Sequence, residues 1–264
     1  MSAPTLHDVR AAARLAGMHG DVELHATIGS TNDRAHELAQ AGAPHGTLVV
    51  ANEQTAGRGR RGRVWESPAG LGIYTSVVVR WEVRLPDAPL LVAAVGLGLA
   101  EGLERAAPRL SVQLKWPNDL WCGRRKLGGV LVEARSTGYL VAGFGLNLSQ
   151  APRDFGRELA DSSTSVAIAT GSRHPHMTLF AGALRGMWER TEQVLDAGPM
   201  AELEAEYRRR SALIGGEVEL QDGSELVRGV VVDLSASEGL LLRTASGAHR
   251  HVRAEFASEV RPVG

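Results

Sequence analysis

Between Ser111 and Leu146 four strand-like runs follow one another with little chain between them, and this crowding limits the possible folds most. The runs are Ser111–Trp116, Leu120–Cys122, Leu127–Ala134 and Tyr139–Leu146. Gly/Arg and Thr/Gly breaks separate the last three. Breaks this short join antiparallel neighbours, because a parallel crossover needs about a dozen residues or more. Two earlier runs, Thr47–Ala51 and Ile73–Val79, are also apolar and rich in β-branched residues, as strands are. Helical patterns lie around these runs at Ala3–Gly17, Asn32–Ala41, Pro89–Ala107 and His176–Arg210. Ser30 stands before the second helix with Asp33 three residues on, a capping-box pattern, and Gly42 sits where that helix should stop. Consecutive strands with helices grouped about them predict an α+β fold, a mixed or antiparallel sheet with packed helices.

At Gly215 the pattern changes. Val218–Leu220, Gly229–Val232, Leu240–Arg243 and His249–Val252 are short strands separated by Asp222-Gly223, Ser237-Glu238-Gly239 and Ser246-Gly247 turns. That rhythm predicts a small β-barrel over residues 213–264, appended to a main domain over residues 1–212.

Composition excludes several classes of function. The net charge is -1, so neither nucleic acid nor anionic membrane is attracted by the chain as a whole. Cys122 is the sole cysteine, so no internal disulfide can form. Met1–Gly20 has no long apolar stretch and does not read as a signal peptide. Ala88–Ala100 is apolar but too short to span a bilayer, and reads as a buried helix. A cytoplasmic protein without membrane partners is expected. His174 and His176 form an H-x-H pair with no further ligands nearby, so no zinc site is expected. His249 and His251 read as surface residues of the tail.

Charge is instead concentrated locally. Gly57-Arg58-Gly59-Arg60-Arg61-Gly62-Arg63 holds four arginines in seven positions. Glycines let backbone N–H groups approach a ligand, and arginines add forked, permanently charged donors for carboxylate or phosphate. The segment matches G-x-G-x-x-G, but the residues that follow, Arg63-Val64-Trp65-Glu66-Ser67-Pro68, are poor helix sequence, whereas a dinucleotide fingerprint needs a helix there. A nucleic-acid patch would need basic surface elsewhere. A merely solvated loop leaves Trp65 and Ser67-Pro68-Ala69-Gly70 unexplained.

Lys115-Trp116-Pro117-Asn118-Asp119 leaves a strand and enters a tight turn. Ordinary turn chemistry explains it, and so does a site in which Lys115 meets phosphate and Asp119 organises the turn or helps place Mg²⁺. Lys126 begins the run Lys126–Glu133, whose Gly128 and Gly129 mark either close approach by a ligand or another backbone, or a bulge. Gly143–Leu148 repeats the theme, with Asn147 at the end of an apolar strand. Ser30-Thr31-Asn32 suits a helix cap, a ligand site at the helix N-terminus, or both. Gln54 could reach a polar ligand head.

Taken in order, GSTN (29–32), EQTAGRGRRGRVWESPAG (53–70), KWPNDL (115–120), KLGGVLVE (126–133) and GFGLNL (143–148) resemble the motifs of the biotin–protein ligases. The strand-rich tail resembles that family's SH3-like C-terminal domain. The resemblance implies an enzyme that activates biotin with ATP as biotinyl-5′-AMP and transfers it to a lysine of a biotin carboxyl carrier protein or domain of an acyl-CoA carboxylase. It places biotin against Ser30, Thr31, Asn32, Gln54, Arg58, Gly59, Arg60 and Lys126. It places ATP against Arg60, Arg63, Trp65, Lys115, Asn118 and Asn147. Arg58, Arg60 and Lys126 take the catalytic role of offsetting repulsion between two anions, and Mg²⁺ is expected to be held mainly by ATP phosphates. About twenty residues precede Val22, fewer than the helix-turn-helix domain of family members that repress transcription, so no DNA partner is expected. An exposed sheet edge would suit a second copy or the acceptor equally. Lipoate–protein ligases are the nearest alternative, and the complete Gly/Arg motif favours biotin.

Overall fold

Strands β3 (Gly72–Arg80) and β7 (Tyr139–Asn147) are buried along almost their whole length, and they form the spine of the first sheet. They pair antiparallel from Gly72↔Asn147 to Arg80↔Tyr139. Such near-continuous burial requires cover on both faces. On one face α2 (Thr31–Gln40) sets Ala35 and Ala39 against Val49, Val78 and Val141. On the other, α3 (Ala88–Ala106) and α5 (His176–Leu195) pack against the main core. In this computed structural model the described residues are 4–81, 88–135, 138–196 and 200–263.

The remaining strands of this sheet are β1 (Val22–His25), β2 (Leu48–Ala51), β4 (Gln113–Lys115), β5 (Asp119–Cys122) and β6 (Arg125–Glu133), in the order β1-β2-β3-β7-β6-β5-β4. Only β1 and β2 pair in parallel, with α2 as their crossover. The antiparallel run β5-β6-β7 is the one expected from the short breaks. β1 was not anticipated, since Val-Glu-Leu-His is short, polar and half-buried. α1 (Leu6–Leu15), α4 (Val166–Thr170) and α6 (Met200–Arg209) complete the helices. The run expected from His176 to Arg210 is two helices, α5 and α6. Residue 3 of the first expected helix, residues 136–137 at the Thr/Gly break, and residues 197–199 between α5 and α6 lie outside the described residues. No helix among the described residues is long and apolar enough to cross a membrane.

The capping box expected at Ser30 is not formed. Ser30 is the N-cap, but its side chain makes no capping bond, and the free Thr31 N–H donates instead to Gln54 Oε1 at 2.8 Å. Asp33 is drawn away from the helix end by Arg58 and Arg135.

The tail is a five-stranded antiparallel sheet of SH3-like character: β8 (Glu217–Asp222), β9 (Glu225–Ser235), β10 (Gly239–Arg243), β11 (His249–Val252) and β12 (Ala257–Pro262), ordered β11-β10-β9-β8-β12. It is open, not the closed barrel expected, because its edge strands β11 and β12 do not pair among the described residues. β12 escaped the sequence reading. A register shift between Ser258 and Arg261, with Glu259 at φ +53°, breaks its alternation. Contacts from α6 and from the Gly/Arg loop tie the tail to the body. The Glu204 carboxylate of α6 accepts from the Ala236 N–H at 3.0 Å, and Arg60 and Arg61 reach carbonyls in the β11–β12 loop.

Candidate active site

A cavity of about 480 Å³ opens where the N-terminus of α2, the Gly/Arg loop, the β4–β5 turn, β6 and β7 meet, and β12 supplies part of its wall. All thirteen residues singled out above line it: Ser30, Thr31, Asn32, Gln54, Arg58, Gly59, Arg60, Arg63, Trp65, Lys115, Asn118, Lys126 and Asn147. Segments far apart in the sequence therefore converge on one space.

At one end the polar groups form a relay. Gln54 Oε1 accepts from the Thr31 N–H and hydroxyl at 2.8 and 3.1 Å, while Gln54 Nε2 donates to Ser67 Oγ at 2.9 Å. Ser76 Oγ lies 2.8 Å from Thr31 Oγ1 and 2.6 Å from Asn32 Oδ1, so its single proton serves one acceptor at a time. Asn32 Nδ2 donates to Glu133 Oε2 at 2.8 Å. Gly143 makes this possible, because any Cβ there would collide with the Asn32 amide.

Arg58 is held on two sides, by Glu133 at 2.9 and 3.2 Å and by Asp33 at 2.9 Å. Burial would raise the Glu133 carboxyl, but His36, Asn32 and the Arg58 and Arg135 charges outweigh it and hold the pKa at about 2. Two further arginines of the loop leave it sideways. Arg60 donates to the Ala254 carbonyl and Arg61 to the Glu255 carbonyl, each at 2.8 Å. Burial lowers the Arg60 pKa, as do the neighbouring Arg61 and Arg63 charges, though a guanidinium stays charged under such shifts. Gly59 N–H closes the loop on the Arg63 carbonyl at 2.7 Å.

Across the cavity, Lys126 Nζ meets Asp119 Oδ1 at 2.7 Å and stands 5.4 Å from the centre of the Trp65 ring. That ring fits against Gly145, where a Cβ would overlap it. Lys115 Nζ stands 4.8 Å from the Trp121 ring centre. Burial lowers the Lys115 pKa, Asp119 opposes this, and Lys126, Arg63 and Arg261 add to it. Such a lysine gains from an arriving anion. Asn118 donates to the Val130 carbonyl at 2.8 Å, and Asn147 to the Thr164 carbonyl at 3.1 Å while accepting from Gln150. Both asparagines therefore also brace the wall.

Buried polar atoms without protein partners face the same region: Arg58 Nε, Trp65 Nε1, Trp121 Nε1 and Gln150 Oε1. A donor-rich cavity lined by seven cationic side chains suits a ligand carrying both carboxylate and phosphate. No group of three or more His, Cys, Asp or Glu side chains among the described residues could hold a metal. His174 instead meets Thr170, and His176 donates to the Gly72 carbonyl.

Sequence reading missed Ser76, Glu133, Thr75, Trp121, Gln150 and the β12 wall. Thr75 and Ser76 were legible as polar residues inside an apolar run, and Glu133 as the one carboxylate ending another. Nothing local marked Gln150 or β12.

The Biotin/lipoate A/B protein ligase family model matches residues 24–146. The chain is 35% identical over 231 residues to the biotin--[acetyl-CoA-carboxylase] ligase of Mycobacterium tuberculosis, covering 84% of this chain and 82% of that protein. It is 40% identical over 153 residues to the bifunctional ligase/repressor BirA of Bacillus subtilis. That match covers 56% of this chain and spans about half the relative, 47% of its length. The fold is similar to the biotin protein ligase from Aquifex aeolicus in complex with biotin and ATP, with a TM-score of 0.79 and 28% identity, covering 92% of this chain and 99% of that one.

Proposed function

This chain belongs to the biotin–protein ligase family, and from that premise we propose that it joins biotin to ATP as biotinyl-5′-AMP and passes the biotinyl group to a lysine of a biotin carboxyl carrier protein or domain. One observation carries the reading: the polar groups of Thr31, Asn32 and Gln54 and the cations Arg58, Arg60, Arg63, Lys115 and Lys126 share one cavity. The repressor half of the Bacillus protein's name is not carried over, because the match spans about half of that protein.

In this reading Ser30, Thr31, Asn32 and Gln54 hold the polar ring of biotin, and Arg58 to Arg60 with Lys126 hold its carboxylate. The carboxylate oxygen attacks the α-phosphorus and pyrophosphate leaves. Two anions must come together in that step, and Arg58, Arg60 and Lys126 offset their repulsion. A donor aimed at developing charge contributes roughly 3 kcal/mol to such a transition state. Arg63, Trp65, Lys115, Asn118 and Asn147 form the nucleotide side. Mg²⁺ would neutralise the triphosphate and leaving group, held mainly by phosphate oxygens with Asp119 as a candidate carboxylate. In the second step the acceptor lysine attacks the acyl carbon and AMP leaves.

Intact mass spectrometry of a biotin carrier domain tests the reading, after incubation with the protein, ATP and Mg²⁺ and with biotin or lipoate in separate tubes. An ATP-dependent gain of one biotinyl group is expected. A gain with lipoate alone would move the chain to lipoyl transfer, and no gain with either would remove the ligase reading.

A further inference from the structure

A guanidinium on a glycine-rich loop has many rotamers, and a site that needs it in one place must supply the restraint. Arg58 is restrained from β6, by a residue outside the cavity wall. Glu133 accepts from both terminal nitrogens of Arg58, Nη1 to Oε1 at 3.2 Å and Nη2 to Oε2 at 2.9 Å. This forked pairing fixes the plane of the guanidinium as well as its position. Nη2 is fully used, by Glu133 and Asp33, and Nη1 holds one bond, so Nε is the Arg58 nitrogen left with no protein partner.

The same carboxylate sets a second side chain. Glu133 Oε2 accepts from Asn32 Nδ2 at 2.8 Å, while Asn32 Oδ1 faces Ser76 Oγ at 2.6 Å. A flipped Asn32 would turn its oxygen on the carboxylate, so the pair admits one orientation. His36 Nε2 at 3.8 Å and Arg135 Nη2 at 4.0 Å close the carboxylate from behind. Glu133 thus joins the α2 terminus to the Gly/Arg loop through one side chain.

We infer that Glu133 is a positioning residue for biotin: it presents Arg58 by its Nε edge and orients the Asn32 amide, so that the pocket is set before ligand arrives. The inference rests on the ligase reading for the identity of the ligand, but not for the restraint itself.

The test is Glu133→Gln in the full chain, whose amide cannot accept from Arg58 and Asn32 on both atoms. Biotin KM in pyrophosphate release should rise about tenfold, the effect of losing one hydrogen bond to a charged group, with ATP KM changed by less than about twofold. In an Arg58→Ala background the same change should raise biotin KM by clearly less, because part of its route is already gone. An equal factor in both backgrounds, or equal changes in both KM values, would overturn the inference. The restraint is read without substrate from the Arg58 Nε–H signal in ¹⁵N NMR spectra. It should be sharp in the wild type and shifted or broadened in the variant, and an unchanged signal also overturns the inference. If Glu133→Gln does not fold, Glu133→Asp replaces it with the same readouts, its carboxylate drawn back from the fork. If the wild type binds no biotin, the ligase reading fails and the NMR comparison still decides the positioning role.

Discussion

Lys126 and Asp119 sit on neighbouring strands with Nζ and Oδ1 2.7 Å apart, and both line the cavity. The lysine is thus held by a carboxylate at the place where phosphate and biotin carboxylate are proposed to meet. Lys126→Ala removes a cation aimed at developing charge. Adenylate formation, followed as pyrophosphate release, should fall about a hundredfold with the fold retained by circular dichroism. A rate within about twofold of wild type would reject the assignment, since uniform binding alone leaves that step unchanged.

Arg60 and Arg61 fasten the Gly/Arg loop to the tail through backbone carbonyls rather than carboxylates. Carbonyl acceptors do not titrate, so this restraint should persist across pH. Arg61→Ala should speed amide hydrogen exchange over residues 57–63 severalfold. Exchange indistinguishable from wild type would mean that the loop is held by its own backbone bonds, such as Trp65 N–H to the Gly57 carbonyl at 2.9 Å.

Gly145 leaves room for the Trp65 ring. Gly145→Ala should push that ring out of place and destabilise the protein by about 1–3 kcal/mol, as overpacked sites do. If Trp65 belongs to the nucleotide side, ATP KM should rise more than biotin KM. The reverse split would move Trp65 to the biotin side.

Acid should weaken the protein in a definable window. Glu133 and Glu23 both titrate at about 2 in the folded chain against an ordinary 4.5. Glu23 owes this mainly to hydrogen bonds from Arg34, against the opposing effect of burial. Between these values the unfolded chain takes up protons that the folded one refuses. The stabilisation is therefore complete above 4.5 and is lost as pH falls towards 2. The melting temperature of wild type should drop through that window, and that of Glu133→Gln should drop less steeply. Parallel curves would show that the Glu133 carboxylate is no better held in the folded state than in the unfolded one.

What could be read from the sequence follows the range of the interactions involved. The β5-β6-β7 order was legible because short breaks leave antiparallel pairing as the only route. The thirteen candidate residues could be brought to one place because they cluster in short motifs, each of which reaches the cavity. Ser30 shows the opposite case. Its pattern matched a local cap, but Gln54, twenty-three residues beyond Thr31, took the Thr31 N–H, and Arg58 and Arg135 took Asp33. Local rules gave way to tertiary partners, a neutral amide for the helix N–H and two guanidinium groups for Asp33. β12 was missed because its bulge at Glu259 erases the period of two by which strands are found, and its place in the cavity depends on where the tail docks.

That docking has a consequence for inheritance. The Gly/Arg loop near the front of the chain and β12 near its end close round the same space, so the two must vary together. A chimaera joining the first sheet of one such protein to the tail of another would keep both folds yet enclose the ligand with walls drawn from two histories. Its defect would lie in substrate affinity rather than in melting temperature, and substitutions at the seam, not in either parent motif, would be the ones to restore it.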